Sequence, residues 1–300
     1  MPRWVSLGLL GVLAIVTVIV TLLAMGQLRP ENPNAGTVPQ ASVKPTPQSE
    51  PTPEPEPAPE PVQSPVMQRL LAVSAQEGHL LRAQVGACPD PAGVLEYSED
   101  GGVSWRAGSL VNAGATRLLQ LNGDNPDTDR FVAQDAACAV LHARSFVSGA
   151  DWEPEEAGDA WYLDPGDNTV AHTPNGSQTL PCQAVGLASQ ASRAAVLCLD
   201  SAVTVSADGG ASWSAPVTVP NGAAVGVTPA SFLAASVGEP ECAGVRTRVF
   251  DGAALGEAGA CLDVMGVSDG HLALAGDTTV IYLWGGDVFV RSADWGRSWV

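Results

Sequence analysis

Apolar and polar positions follow three different rhythms along the chain. Residues Val5 to Met25 carry no charge. A helix rises about 1.5 Å per residue, so about 20 such residues cross the roughly 30 Å hydrocarbon layer of a bilayer. Cleavable signal sequences have apolar stretches of only about 7–15 residues. The run therefore predicts an uncleaved transmembrane anchor over 5–25, with 1–4 as a short cytoplasmic end. Residues 26–65 change character, since 12 of the 24 prolines fall between Arg29 and Pro65. Alternating proline, as in Pro51-Thr-Pro-Glu-Pro-Glu-Pro, excludes helix and central strand and favours a polyproline II spacer rising about 3.1 Å per residue. From Val66 onward, short runs of small and β-branched residues are separated by Gly, Asp and Ser, which predicts strands and turns. The predicted strands are Val94–Tyr97, Arg117–Asn122, Phe131–Asp135, Ala139–Phe146, Gln183–Ala188, Ala194–Leu199, Ala202–Val205, Phe232–Val237, Arg246–Phe250, His271–Ala275, Val280–Leu283 and Val288–Arg291. Residues 66–300 are thus expected to form one all-β domain.

An internal repeat sharpens that picture. Ser98-Glu-Asp100-Gly-Gly102-Val-Ser104-Trp105 matches Ser206-Ala-Asp208-Gly-Gly210-Ala-Ser212-Trp213 and Ser292-Ala-Asp294-Trp-Gly296-Arg-Ser298-Trp299 at five positions, each time after a strand-like run. The residue types suit a hairpin turn. Asp accepts from backbone N–H groups, Gly permits positive φ, Ser adds a local bond, and Trp folds back as an apolar plug. None of these parts is arranged as a nucleophile with its base. The octapeptides resemble the Asp boxes, or bacterial neuraminidase repeats, of sialidases and of many non-enzymatic β-propellers. In that family the box joins the third and fourth strands of a blade, on the edge away from the active-site face.

Spacing gives the blade number implied by the resemblance. Decayed turns stand near the midpoints of the long gaps, Ser148-Gly-Ala-Asp151-Trp152 and Phe250-Asp251-Gly252. The series Asp100, Asp151, Asp208, Asp251, Asp294 then has blade-like steps. Five four-stranded blades are expected, with six as the alternative. Val300 directly follows the last Trp, and Val66–Ser74 is a candidate for the outer strand the last blade lacks.

Charge and cysteine usage set the partners and the compartment. The chain has a net charge of −18, and from Val66 onward 27 acidic residues stand against 11 Arg and no Lys. Such a surface repels phosphate backbones, so no nucleic-acid partner is expected. Scarce Lys and abundant Ala resemble the usage of a GC-rich, Gram-positive bacterium. All six cysteines lie beyond the anchor and spacer, at Cys88, Cys138, Cys182, Cys198, Cys242 and Cys261. An even set outside the cytoplasm reads as disulfides. Fifteen pairings are possible, and the sequential one is simplest: Cys88–Cys138, Cys182–Cys198 and Cys242–Cys261.

The sialidase machinery itself is missing from the sequence. No Arg-Ile-Pro signature occurs, and the tyrosines are Tyr97, Tyr162 and Tyr282. The sialidase family reads its acidic sugar with three arginines; Arg82, Arg117 and Arg246 could be imagined in that role, but nothing in their neighbourhoods supports it, and they read as surface arginines. Tyr97 abuts the first box, and Tyr282 reads as core. Asp124, Asp127 and Asp129 form an acidic loop that is a weak calcium candidate, without the odd-position spacing of a calcium loop. Asp151–Glu156 reads as an acidic surface loop around an exposed Trp152, with a recognition loop as the alternative. His79, His142, His172 and His271 show no ligand spacing. The expected protein is therefore a monomeric, single-pass propeller facing out of the cell. It would be without cofactor or catalytic residues and would bind an envelope protein or glycan at the mouth opposite the boxes. A diverged sialidase-type hydrolase and an envelope-complex assembly factor are the alternatives.

Overall fold

The computed structural model describes residues 66–300 apart from 75–77, 91, 126–127, 159, 265–266 and 268–269. The anticipated anchor, spacer and Asp127 lie outside the described residues. The described chain is all-β and folds as a six-bladed propeller, with no helix among the described residues. Sheet one comprises β1 (Arg69–Val73), β2 (Leu80–Gln84), β3 (Val94–Ser98) and β4 (Arg106–Ala107). Sheet two comprises β5 (Arg117–Asn125), β6 (Thr128–Gln134), β7 (Val140–Ser145) and β8 (Glu153–Glu155). The third has three strands, β9 (Tyr162–Leu163), β10 (Val170–Thr173) and β11 (Gly176–Thr179). Sheet four runs through β12 (Ala184–Gln190), β13 (Arg193–Cys198), β14 (Ala202–Ser206) and β15 (Val217–Thr218). Sheet five runs through β16 (Gly222–Val227), β17 (Phe232–Glu239), β18 (Cys242–Phe250) and β19 (Leu255–Ala258). The sixth is β20 (Leu272–Gly276), β21 (Ile281–Gly285) and β22 (Val288–Ser292). All pairings within the sheets are antiparallel between sequence neighbours.

Burial falls from the inner to the outer strands. β16 and β20 are buried along their whole length, whereas β4, β8 and β19 are largely exposed. Small residues let the inner strands approach one another: a Cβ on Gly226 of β16 would meet the Leu274 carbonyl of β20 at 2.8 Å. β1 is buried on both faces, the environment of an inner strand and not of a rim strand. Val66–Ser74 therefore starts sheet one and does not complete the last sheet, as the sequence had suggested. In sheet six the outer position is taken up only at Val300, which exchanges both main-chain hydrogen bonds with Arg291. Sheets one and six meet instead through a stack across their seam. Arg69 lies 4.2 Å above Trp284, and Arg82 sits 4.0 Å from Trp105 and 4.9 Å from Trp284. Burial, then the nearby Arg82 charge, lowers the Arg69 pKa.

Strand alternation sorts the turns onto two rims. Turns between first and second and between third and fourth strands share one rim, which carries all the octapeptides. Turns between second and third strands, and the connections between sheets, share the other. Each member of the Asp series falls between a third strand and its outer neighbour. The additional sheet is β9–β11, so the count is six, the larger of the two expected. It escapes the series because its corresponding turn is a two-residue hairpin, Pro174-Asn175.

Backbone angles correct the register of the second turn. Gly101 and Gly102 have φ of 71° and 86°, Gly209 and Gly210 74° and 86°, and Trp295 and Gly296 62° and 85°. Ser148 and Gly149 repeat the pair at 55° and 82°. The second turn is therefore Ser145–Trp152, with Val147 where the others have Asp and Asp151 where they have Ser. Each of these glycines packs its bare Cα against the preceding sheet; a Cβ would strike Phe289 at Gly102, Thr173 at Gly210 and the Leu81 side chain at Gly149. Positive φ and close approach together exclude other residues there. Trp152, expected to be exposed, is buried because it plugs this turn at a centroid distance of 4.5 Å from Phe131. The stretch after it is β8.

All three sequential disulfides form, and all lie on the rim opposite the octapeptides. Cys182–Cys198 and Cys242–Cys261 each join neighbouring parts of one sheet, whereas Cys88–Cys138 clips sheet one to sheet two.

Candidate functional site

The octapeptide rim satisfies its own polar groups. Ser98 Oγ donates to Asp100 Oδ1 (2.8 Å) and accepts from Gly102 N (2.8 Å). Asp100 in turn accepts from Ser104 N and Ser104 Oγ at 2.9 and 2.6 Å. The same ring of bonds recurs at Ser206–Ser212 and Ser292–Ser298. Hydrogen bonds from Ser104, Ser212 and Ser298 hold the carboxyls of Asp100, Asp208 and Asp294 at a pKa of about 2. Their acceptor capacity is used inside the turn, which makes these residues staples of the fold. Trp105, Trp213 and Trp299 pack back on their sheets.

The opposite rim is organised differently. Residues Val66–Gln68 cross its centre as a strap. Met67 N donates to Val185 O of sheet four, Gln68 N to Gly270 O beside sheet six, and Gln68 O accepts from Val85 N of sheet one. Gly186 and Gly270 leave the space for it; a Cβ on Gly186 would overlap the Met67 side chain.

Beside the strap lies a wedge left by the third sheet. The inner strands β1, β5, β12, β16 and β20 contact one another around the ring, so β5 meets β12 directly. Among the described residues, sheet three contributes no strand of its own at that radius. β5 and β12 are tied at Gln120 Nε2–Ser189 Oγ (2.8 Å) towards the octapeptide rim. Towards the mouth they part around a cavity of about 310 Å³ lined by Leu119, Leu163, Asn168 and Leu187, with Arg117 at its edge. A second cavity of about 430 Å³ shares Val66, Met67, Val85 and Arg117 and extends to Gln134 and the Cys88–Cys138 bridge. Arg117 thus stands between two cavities. Its Nη1 lies 3.4 Å from Gln134 Oε1, and among the described residues it has no carboxylate partner.

The remaining candidates are not drawn together. Arg82 pairs with Glu96 at 2.7 Å inside the seam, and Arg246 faces Glu239 and Glu241; neither lines the two cavities beside Arg117. Tyr97 and Tyr282 are buried strand residues. Asp129 is buried in a 2.8 Å contact with His79 Nε2, so one carboxylate of the calcium candidate already has a partner. Sequence spacing did miss a cluster around Tyr162, which lies face to face with His172 at 4.2 Å and edge-on to His142 at 6.0 Å. His172 Nε2 is 3.0 Å from Asp164 Oδ2, and its Nδ1 is 3.1 Å from Ser177 Oγ. That is the reverse of the nitrogen assignment in an acyl-transfer triad, and Ser177 is the cross-strand partner of His172. The relay fastens the β10–β11 hairpin to the loop that borders the wedge. The hydrogen bond from His172, then the Gly166 N–H, keeps the Asp164 pKa below its ordinary value, while burial raises that of Tyr162 and lowers that of His142.

These features define a β-propeller, and solved propellers are what the chain resembles. No protein-family model and no curated protein matches it. Among solved structures, AofleA from Arthrobotrys oligospora aligns at TM-score 0.52 and 8% identity over 79% of this chain and 87% of that one. The SapL1 lectin in complex with alpha methyl fucoside aligns at 0.50 and 12% over 79% and 96%. A GH74 xyloglucanase from Xanthomonas campestris is 18% identical over 77% of this chain at TM-score 0.33, and the chain spans 37% of its length. Identities this low establish the fold alone.

Proposed function

We propose that this chain is a membrane-tethered, extracytoplasmic propeller of the Asp-box class that binds a protein segment of the cell envelope at its mouth, without catalysis. The observation that carries the reading is the lining of the mouth. The wedge is lined chiefly by Leu, Val and Met, with Asp164 held by its own neighbours, and the two cavities share one cation lacking a carboxylate partner, with no aromatic side chain among the described lining residues. A sialidase-type site calls for clustered Arg, Tyr and Glu. Glycan sites draw on aromatic faces, whereas an apolar cleft with a few polar groups suits a peptide chain. The solved lectin neighbour binds a fucoside, which makes a glycan the competing ligand to test. The uncharged run Val5–Met25 and the proline-rich 26–65 support the tether, and three disulfides support an oxidising compartment.

Photo-crosslinking in the host cell tests this. A photoreactive amino acid at position 119, in the wedge, is expected to give a discrete protein adduct in the membrane fraction. The same group at position 103, on the octapeptide rim, is expected to give none. Binding of the full chain to a glycan array with no adduct from position 119 would replace the reading with a lectin, and turnover of a fluorogenic sialoside would replace it with a hydrolase.

A further inference from the structure

We propose that the wedge between β5 and β12 receives the free C-terminal end of an extended apolar peptide, which adds to β9 as the inner strand that sheet three lacks; this rests on the protein-binding reading above.

Three observations converge on that ligand. The first is an available strand edge. β10 and β11 close on a two-residue turn with Thr173 opposite Gly176, and His172 pairs with Tyr162 on the other side. Alternation of hydrogen-bonded and free pairs then points the N–H and C=O of Leu163 away from β10, towards the cavity that Leu163 lines. Such an edge pairs with an added strand. The second is shape. The wedge is shut on one side by the Gln120–Ser189 contact and roofed by Met67, and its volume of about 310 Å³ is near the lower limit of ligand clefts. A chain end of about two or three residues fits there, and a loop passing through does not. The third is charge. Arg117, in a domain with 27 acidic residues against 11 Arg, has no carboxylate partner among the described residues. The Asp164 carboxylate beside the wedge is already occupied by His172 and the Gly166 and Asp167 N–H groups. The unmatched charge at the wedge is positive, which selects a terminal carboxylate over a terminal amine.

The full chain in detergent micelles is titrated, by fluorescence anisotropy, against dye-labelled hexapeptides carrying every combination of Ala, Val and Leu in the last three positions. Each is made as the free acid, as the C-terminal amide, and as an amide ending in Glu. Free acids are expected to bind, and both amides to bind more weakly by about tenfold or more, the loss of one strong charge-assisted contact. Arg117→Gln is expected to bring the free acid down to the level of the amide, while Arg297→Gln on the far rim leaves it unchanged. Leu163→Pro, which removes the N–H facing the wedge and no hydrogen bond to β10, is expected to weaken acid and amide together, with the β-type circular dichroism retained. Equal binding of acid and amide, rescue by the terminal Glu, or no binding by any peptide overturns the proposal. If the adduct from position 119 persists in that case, the protein-binding reading stands without it; if the adduct is absent too, both fall.

Discussion

In the turn at 206–213, a serine hydroxyl and an aspartate carboxylate share five hydrogen bonds, and the carboxylate is fully ionised at neutral pH. In the turn at 145–152, Ser145 keeps the matching bonds to Val147 N and Gly149 N, but Val147 replaces the aspartate. There the indole N–H of Trp152 donates to Gly149 O at 3.0 Å and the ring is almost completely buried. The same backbone path is thus held once by a polar ring and once by a plug. What the two share is the Ser cap, the pair of positive-φ residues and the bare glycine against the neighbouring sheet. The aspartate strengthens the turn but does not define it.

Several substitutions press on that comparison. The largest effect is expected from Trp152→Ala, which empties the plugged turn and removes the packing on Phe131. A cost of about 3–5 kcal/mol is expected from urea unfolding, and a cost near that of an exposed Val103→Ala would break the comparison. Ser206→Ala comes next. It strands the buried Gly210 N–H and is expected to cost about 1–3 kcal/mol, with Ser145→Ala costing a similar amount through Gly149. A clear gap between these two would show that the caps are not equivalent.

Acid sensitivity is the third point of difference. Asp100, Asp208 and Asp294 have pKa values lowered to about 2 in the folded state, against about 3.9 in unfolded chains. Their stabilisation is therefore complete above the unfolded value and is lost as pH falls towards 2. The melting temperature is expected to fall across that window, and replacing all three by Asn should flatten the fall; an unchanged acid limb would contradict the polar-ring account. The smallest effect is a gain. Val147→Asp alone sets a carboxylate beside Asp151 and should add nothing, whereas Val147→Asp with Asp151→Ser rebuilds the complete octapeptide and should stabilise by about 0.5–1.5 kcal/mol in the same urea assay.

The sequence made the octapeptide rim legible and the mouth largely illegible, for a physical reason. Staples are built from side chains, so Ser98, Asp100, Gly102 and Trp105 announce themselves, and so do the six cysteines. The second turn was misread by its aspartate because Asp151 is the polar residue that remains there, although Ser145, Gly149 and Trp152 carry the register. Sheet three was missed because a two-residue hairpin around Pro174-Asn175 has no octapeptide to display, and β9 is only two residues long. The strap was invisible because its bonds are main chain to main chain. Arg117 was visible only as one arginine among several, since its distinction is the absence of a carboxylate partner among the described residues and the strand edge nearby.

The strap at Val66–Gln68 also sets where a pull on the proposed tether would enter the domain. A tether joined to an outer strand would peel one blade from the rim, opening its hydrogen bonds one after another. Here a pull on Val66 reaches the centre of the ring and is divided at once among the first, fourth and sixth sheets through Val85, Val185 and Gly270. Under the proposed tether, load would therefore enter at the hub and be shared by these three sheets, as on a wheel held by its axle.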